Sequence, residues 1–388
     1  MKPERRGTAA LVAATAINLP VGTIYAFSVL VKPVEALLGA TRAEMSFVFG
    51  LATVTLTVGM NFAPRLYRRF PPLALSVAGG AASAAGLWLA AAATTFAEFA
   101  FGYGVLFGPG AGVLFIASQQ AINQAVTRSR GLANGYVVSL LPLGAMLGAP
   151  LLGWTIEAEG VRVALGGLGA AVFVGCALAG FLYRAADIRL IDTSAAGQAG
   201  EGALGRTFWL LASVFFLAAS AGLMVLSQAA AIVQAYGGAA ALAVGATTFI
   251  TGAVGAARIA GGWLVDRYGG ARVGIGAHLF SLAGALVLAA VPAPAAAALA
   301  LAMIGVGYGI VSGLSAGAIA QYWHRNRFGY VAGRLYIAWC GAAVCLPVLA
   351  GWLFDRTSSY ASAVWIAAGI NVLGALLARA LPDKVNQP

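Results

Sequence analysis

The chain has 388 residues, of which 61% are hydrophobic and 9% are charged, and its formal net charge is +11. A soluble domain carries about 25% charged residues because water must wet its surface. The composition therefore excludes a soluble enzyme, a nucleic-acid-binding domain and a disordered scaffold. A transmembrane β-barrel is excluded as well, since its strands alternate polar and apolar residues over ~10 positions. The sequence predicts an all-α polytopic membrane protein.

Charge-poor apolar runs mark twelve predicted spans, since a membrane-spanning helix needs ~20 apolar residues. Two runs are too long for one helix, and they break at turn-forming residues, 236–238 in one and 292–294 in the other. The predicted spans 1 to 12 cover residues 8–30, 44–66, 71–92, 97–121, 131–155, 162–183, 207–233, 241–265, 273–291, 296–320, 329–353 and 361–381.

One long loop lies in the middle of the chain. We predict a six-helix half over residues 1–183, a cytoplasmic central loop over 184–206 and a second six-helix half over 207–388. Basic residues accumulate on the cytoplasmic side of membrane proteins, and this bias sets the orientation. With a cytoplasmic N-terminus, seventeen Lys and Arg residues of the loops and ends lie on that side. Four lie opposite, namely Lys32, Arg42, Arg162 and Arg356. We therefore expect a multi-pass protein of the cell (inner) membrane with both termini in the cytoplasm.

An internal repeat relates the two halves. The pattern Gly-Trp-x-x-acid occurs at residues 153–157, 262–266 and 351–355. At the offset of 198 residues that relates the first copy to the third, Gly131 also matches Gly329. Two parallel six-helix halves resemble the plan of the major facilitator transporters. The resemblance implies transport by alternating access.

The loop after span 8 carries a second motif. Residues 262–272 read Gly-Trp-Leu-Val-Asp-Arg-Tyr-Gly-Gly-Ala-Arg, which resembles the cytoplasmic signature of that superfamily. We expect the glycine to let two helices touch and the acid to cap a helix or pair with a charge, which holds this side closed. In the first half, Ala63-Pro64 replaces the acid. The predicted gating residues are Gly262, Asp266, Arg267 and Arg272.

Arg258 is a candidate anchor for a substrate. It lies eight residues before Asp266 among apolar neighbours, which places it about 12 Å deep at 1.5 Å per residue. A buried cation costs several kcal/mol unless something compensates it, and the acids of the sequence lie near loops or span ends. The natural compensating group is a carboxylate, which the planar guanidinium binds with two hydrogen bonds. Because the spans hold no central acid, direct proton coupling is disfavoured, and His278 alone could stand in.

Five further side chains are candidate substrate contacts. Asn18 and Tyr25 in span 1 are seven residues apart, which places them on one face of a helix. Tyr308 lies in a glycine-rich part of span 10, and Tyr336 and Trp339 lie in span 11. Aromatic residues in membrane helices also serve as packing or interfacial residues, so both interpretations stay open for these aromatic residues.

Three stretches resemble the oxalate/formate antiporter family, which is related to the monocarboxylate transporters. They are Tyr-Ala-Phe-Ser-Val-Leu-Val-Lys-Pro at 25–33, Ala-Arg-Ile-Ala-Gly-Gly-Trp-Leu-Val-Asp-Arg at 257–267 and Gly-Arg-Leu-Tyr-Ile-Ala-Trp at 333–339. The likeness extends over essentially the whole chain. It implies that Arg258 binds the substrate carboxylate and that Tyr25 and Tyr308 are aromatic positions of the cavity.

The chain also departs from that family. Trp339 stands where the oxalate carrier has a lysine, so a single buried cation favours a monocarboxylate over a dicarboxylate. Proton-coupled relatives often have an acid one turn before the arginine, where this chain has Val254. The resemblance therefore does not support proton symport through that device.

The preferred hypothesis is an alternating-access carrier of a small organic anion, working as an antiporter or a facilitated carrier. The alternative is an exporter of amphipathic drugs or metabolites on the same fold. A sensor or an enzyme is disfavoured, since the spans carry no catalytic Ser/His/Asp arrangement and no phosphate loop. We expect a monomer whose partners are the lipid bilayer and a small carboxylate, with no nucleic acid, no cofactor and no metal.

Overall fold

The structure is a computed structural model that describes residues 3–191, 204–291 and 293–382. Within these ranges it is helical without strands, and twelve helices are long and apolar enough to cross a membrane. The fold class predicted from composition is confirmed. The helices are α1 (Pro3–Val21), α2 (Arg42–Tyr67), α3 (Pro72–Ala92), α4 (Phe96–Ala125), α5 (Arg130–Glu159), α6 (Val161–Ala185), α7 (Gly205–Ala235), α8 (Ala240–Tyr268), α9 (Gly270–Ala290), α10 (Pro294–Tyr322), α11 (Phe328–Thr357) and α12 (Ala361–Ala378).

The first predicted span, residues 8–30, overlaps a helix that could cross a membrane over Arg5–Ala26, but its α-helical part ends at Val21. A 3-10 turn at Gly22–Ala26 follows α1, and a short helix then runs over Ser28–Leu38. The Thr23 hydroxyl donates to the Pro20 carbonyl oxygen at 2.7 Å. A side-chain hydroxyl on that carbonyl competes with the helical hydrogen bond and can bend the chain there.

The two predicted breaks inside long apolar runs are confirmed. Helix α7 ends at Ala235, and Gly237 after it has a φ of 85°, a left-handed conformation that favours glycine. Helix α10 begins at Pro294, where the missing N–H of proline removes no helical hydrogen bond. Helix α4 contains a π-helical stretch over Ala100–Phe107.

The chain divides into two compact units. Each follows one predicted six-helix half, except that the start of α5 belongs to unit 2 and the start of α11 belongs to unit 1. The predicted half boundaries stay a prediction, since residues 192–203 of the central loop lie outside the described residues. Unit 1 takes in Met1–Arg128, Leu140–Gln198 and His324–Tyr336, and unit 2 takes in Ser129–Ser139, Ala199–Trp323 and Ile337–Pro388.

In unit 1, α3 packs along α6, and α2 packs along α4. Small residues make these contacts close, because helix association inside a membrane depends on backbones that approach each other. A Cβ at Gly59 would overlap the Pro109 carbonyl oxygen, so α2 and α4 touch backbone to backbone.

In unit 2, α10 is central and packs against α7, α8 and α9. A Cβ at Gly313 of α10 would overlap the Arg258 carbonyl oxygen, and a Cβ at Gly261 of α8 would overlap the Ile310 carbonyl oxygen. The backbones of α8 and α10 therefore touch at the level of Arg258. This contact brings the Arg258 side chain next to residues of α10.

Candidate functional site

Arg258 lies in the interior of unit 2, where it is 3% exposed. Its Nη1 donates to the Val138 carbonyl oxygen at 2.8 Å, and its Nη2 donates to the Tyr308 hydroxyl oxygen at 3.0 Å. The guanidinium carbon also lies 5.3 Å from the centre of the Tyr308 ring, within the range of a cation–π interaction. Since arginine stays protonated in proteins, these neutral contacts orient a positive charge in the interior of unit 2.

Tyr308 links Arg258 to Trp339. Its hydroxyl oxygen accepts a second hydrogen bond from the Trp339 indole Nε1–H at 3.1 Å. A hydroxyl oxygen has two lone pairs and one proton, so the proton of Tyr308 remains as a donor. We call Arg258, Tyr308 and Trp339 the arginine cluster. The structure brings these three sequence-selected residues together, and their role in substrate binding stays a prediction.

Glycines make room for the arginine cluster. Tyr308 is 1% exposed, and a Cβ at Gly222 of α7 would overlap its ring. A Cβ at Gly309 would lie 2.7 Å from the Val254 carbonyl oxygen, so α10 also approaches α8 closely here. The glycines near Tyr308 therefore have a packing role, because they let a large ring fit between helices whose backbones lie close together.

Asn18 and Tyr336 lie in unit 1 and have contacts of their own there. Asn18 is fully buried, and its Nδ2 donates to Ser118 Oγ at 2.9 Å. Its Oδ1 is buried without a hydrogen-bond partner among the described residues. The Tyr336 hydroxyl accepts a hydrogen bond from Gln119 Nε2 at 3.3 Å. Unit 1 thus offers buried amide groups around these two residues.

Tyr25 is half-buried and lies in the 3-10 turn after α1. A 3-10 turn has 3.0 residues per turn instead of 3.6. Part of the seven-residue spacing between Asn18 and Tyr25 therefore lies outside α1, and their place on one helix face stays a prediction. The reason is the early end of α1, which the sequence pattern did not predict.

Asp266, in the last turn of α8, caps the start of α5. Its Oδ1 accepts from the Gly131 N–H at 3.0 Å and from Gln321 Nε2 at 3.2 Å, and its Oδ2 accepts from the Leu132 N–H at 3.1 Å. The first N–H groups of a helix lack acceptors within the helix, and the helix dipole is positive there. A Cβ at Gly262 would overlap the Gly131 carbonyl oxygen. The contacts expected of Gly262 and Asp266 are present, and their role in gating stays a prediction.

Arg267 and Arg272 lie on the exposed side of the same region. The Arg267 guanidinium carbon lies 5.8 Å from the centre of the Trp263 ring and 5.7 Å from that of the Tyr268 ring. Arg272 lines a cavity of about 250 Å³ together with Tyr268. Basic residues beside aromatic rings are typical of the boundary between membrane and water.

The residues that hold the start of α11 were not predicted from the sequence. Gln120 is 0% exposed, and its Oε1 accepts from the Gly329 N–H at 3.0 Å. Its Nε2 donates to the carbonyl oxygens of Ile191 at 2.7 Å and Arg325 at 3.1 Å. Two signals point to this site, namely the polar run at 118–123 inside a span and the repeat that gives Gly329 a counterpart in α5.

His278, the titratable candidate for proton coupling, is 1% exposed. Its Nδ1 lies 3.0 Å from Asn371 Oδ1, and this hydrogen bond joins α9 to α12. A buried polar pair between two packed helices fits a structural residue.

Comparisons with known proteins agree on the family. Residues 9–344 match the model of the Major Facilitator Superfamily. The chain is 28% identical over 177 residues to monocarboxylate transporter 1 of Rattus norvegicus, which is 43% of this chain and 34% of that protein. It is 24% identical over 212 residues to the oxalate:formate antiporter of Oxalobacter formigenes, which is 53% of this chain and 50% of that protein. The matched regions therefore span a third to a half of the length of these relatives.

Solved structures share the fold at low identity. The transporter FucP in its outward conformation has a TM-score of 0.74 at 16% identity, over 97% of this chain and 99% of that chain. The human organic anion transporter MFSD10 has a TM-score of 0.74 at 15% identity, over 97% of this chain and 100% of that chain. Likeness at this level shows the fold alone. Because the family model matches most of the chain and twelve described helices could span a membrane, the chain belongs to the Major Facilitator Superfamily and is a multi-pass membrane transporter.

Proposed function

We propose that this transporter carries a small organic anion, most simply a monocarboxylate, by alternating access, and that Arg258 anchors the carboxylate. The observation that carries the proposal is the arginine cluster, in which a 3% exposed guanidinium is oriented by the Tyr308 hydroxyl and the Val138 carbonyl. The names of two relatives, a monocarboxylate transporter and an oxalate:formate antiporter, support the same substrate class.

Charge is the physical reason for an anionic substrate. A cation inside a membrane protein costs several kcal/mol, and an approaching anion offsets this free energy. A guanidinium presents paired N–H donors in one plane, which match the two oxygens of a carboxylate. The proton of the Tyr308 hydroxyl supplies a further donor next to the guanidinium. A carboxylate that accepts from both groups is oriented as well as bound.

The neighbours of Arg258 favour one carboxylate over two. Trp339 contributes an indole N–H to the Tyr308 hydroxyl, and it brings no second positive charge for a second carboxylate. Val254, one turn before Arg258, is buried and apolar, so a proton-carrying acid is absent from that position. We therefore favour antiport or facilitated carriage over proton symport.

The contact between Asp266 and the start of α5 is our candidate for the gate on the cytoplasmic side. Its hydrogen bonds to Gly131 and Leu132 are charge-assisted and can break and re-form as one unit. The asymmetry of basic residues supports an orientation with both termini in the cytoplasm and a location in the cell (inner) membrane. We propose that the carrier works as a monomer.

Replacing Arg258 with Gln tests the anchor. We expect uptake of labelled lactate, formate or pyruvate into proteoliposomes to fall at least about 100-fold. The reason is that each hydrogen bond to a charged group contributes ~1.5–3 kcal/mol and two are lost. Arg258→Lys, which keeps the charge without the planar fork, should retain part of the uptake. Arg379→Gln, at an exposed arginine beyond α12, is the matched control and should transport like the wild type.

Unchanged carboxylate uptake by Arg258→Gln, with an unchanged thermal unfolding midpoint, would refute the anchor role. The second candidate function is export of amphipathic drugs or metabolites. The edge-on contact of Phe115 and Tyr336, with ring centres 5.2 Å apart, favours it because such rings suit apolar cargo. Export of an amphipathic dye that survives Arg258→Gln would support this second function.

A further inference from the structure

Unit 1 contains a cavity of about 650 Å³ at the face where α3 begins and α6 ends. Its volume lies within the range of ~300–1,000 Å³ that holds small ligands. The turn after α6 forms its third wall. The residues that line it combine apolar and basic side chains, among them Pro72, Val77, Phe181, Arg184 and Arg189.

The turn after α6 is fixed by hydrogen bonds. Asp187 has a φ of 49°, and the N–H of Ile188 donates back to the Tyr183 carbonyl oxygen at 2.9 Å. Arg6 Nη2 donates to the Asp187 carbonyl oxygen at 2.7 Å, which ties the turn to α1. The cavity is therefore preformed, with two helix ends and a braced turn as its walls.

Helices α3 and α6 pack tightly beside the cavity. A Cβ at Gly180 would lie 3.0 Å from Leu73 Cδ1 and 3.1 Å from Ser76 Cβ, so α3 and α6 are in close contact there. Phe181, next to this contact, is exposed and forms part of the apolar wall. The result is a largely apolar groove between the start of α3 and the end of α6.

The rim of the groove is basic. Arg184 and Arg189 line it and are exposed. The Asp187 carboxylate lies 3.7 Å from Arg189 Nε and offsets one of these charges. Arg68 and Arg69, just before α3, are exposed as well. An apolar groove with a net positive rim at a membrane face is complementary to a lipid with a negative headgroup.

We propose that this cavity binds one anionic phospholipid. Its phosphate lies against Arg184 and Arg189, and the first part of an acyl chain lies against Val77 and Phe181. A free phosphate ion would use the rim and leave the apolar wall uncovered. The site is separate from the arginine cluster, which belongs to unit 2.

A binding experiment tests the charged half of the site. Delipidated protein in detergent is titrated with phosphatidylglycerol, phosphatidylcholine or inorganic phosphate, and bound lipid is counted by native mass spectrometry. We expect the wild type to bind phosphatidylglycerol in preference to phosphatidylcholine. Arg184→Gln/Arg189→Gln should bind it roughly thirtyfold more weakly, because each basic residue near an anionic lipid contributes ~1 kcal/mol. The control Arg206→Gln/Arg379→Gln removes two exposed arginines outside the cavity and should bind like the wild type.

A second pair of variants tests the apolar half. Ala74 is exposed and lines the groove, whereas Ala78, one turn along α3, is exposed and does not line it. Ala74→Trp should fill the groove and abolish phosphatidylglycerol binding while all rim charges remain. Ala78→Trp should bind as the wild type does.

Three results would overturn the proposal. Equal loss of binding in the control arginine pair would show a diffuse effect of surface charge. Inorganic phosphate that displaces phosphatidylglycerol, together with normal binding by Ala74→Trp, would show a site for a soluble anion. Equal binding of phosphatidylcholine would show a site without selectivity for charge. If the arginine double variant fails to fold, the comparison of Ala74→Trp with Ala78→Trp decides.

Discussion

The starts of α5 and α11 hold matching positions in the two halves, 198 residues apart, yet different chemistry caps them. Gly131, the second residue of α5, donates its N–H to the Asp266 carboxylate at 3.0 Å. Gly329, the second residue of α11, donates its N–H to the Gln120 amide oxygen at 3.0 Å. The first cap is charged and comes from the end of α8, and the second is neutral and comes from α4.

The difference shows how a repeat can keep a contact while changing its chemistry. An acid in the last turn of α8 lies at the negative end of its own helix dipole, and the positive end of α5 compensates it. In the first half, Ala63-Pro64 replaces the acid, and Gln120 supplies an acceptor from another helix. Unit 2 therefore uses a charged cap for α5, and unit 1 uses a neutral amide cap for α11.

The largest effect is expected from Asp266→Ala. This change should lower the free energy of unfolding by about 3 kcal/mol, because it removes two backbone hydrogen bonds to a charged acceptor, each worth ~1.5–3 kcal/mol. The measurement is the thermal unfolding midpoint of the purified protein in detergent. Asp266→Asn, which keeps one acceptor oxygen and loses the charge, should have a smaller effect. If Asp266→Ala leaves the midpoint unchanged, the charged cap does not stabilise α5.

Local patterns were sufficient to expect that Asp266 caps a helix or pairs with a charge, but they did not identify α5 as its partner. The Gly262–Asp266 motif is contiguous in sequence, and Arg258 stands out as a charge inside an apolar run. The partners of Arg258 within the arginine cluster were chosen as aromatic residues inside spans. Their mutual contacts bridge 50 and 31 residues and depend on how α10 packs, which no local pattern encodes.

The cap of α11 could not be predicted from the sequence. Gln120 has partners 71, 205 and 209 residues away, so its role becomes visible only when α4 and α11 meet. The twelve spans followed from composition, because the bilayer requires long apolar helices. The early end of α1 did not, since the apolar run continues through the 3-10 turn at Gly22–Ala26.

Replacing each of the two matching glycines, Gly131 and Gly329, with alanine tests how the starts of α5 and α11 differ. A Cβ at Gly131 would overlap the Gly262 carbonyl oxygen, which belongs to a backbone that cannot move alone. A Cβ at Gly329 would overlap the Tyr67 hydroxyl, which is the far end of a side chain and not backbone. We expect Gly131→Ala to lower the free energy of unfolding by about 2 kcal/mol, within the ~1–3 kcal/mol range of overpacking.

Gly329→Ala is the matched control for that change and should lower the free energy of unfolding by less than about 1 kcal/mol, because a side chain relaxes more easily than a backbone. Both variants are compared by thermal unfolding under the same conditions. Equal losses of stability in the two variants would mean that the backbone contact between α8 and α5 contributes no more to stability than the contact between Gly329 and Tyr67.

Among the polar contacts, the smallest effect is expected from Gln124→Ala, which removes a neutral hydrogen bond beside the cap of α11. Gln124 Nε2 donates to Asn326 Oδ1 at 2.9 Å, and it lies one turn after Gln120 on α4. Loss of this single neutral hydrogen bond should lower the free energy of unfolding by about 1 kcal/mol. Because Gln124 and Gln120 hold the same helix start, the double variant Gln120→Ala/Gln124→Ala should depart from the sum of the single effects, as contacts of one network do. A loss from Gln124→Ala as large as that from Asp266→Ala would contradict the expected contrast between a charged and a neutral helix start.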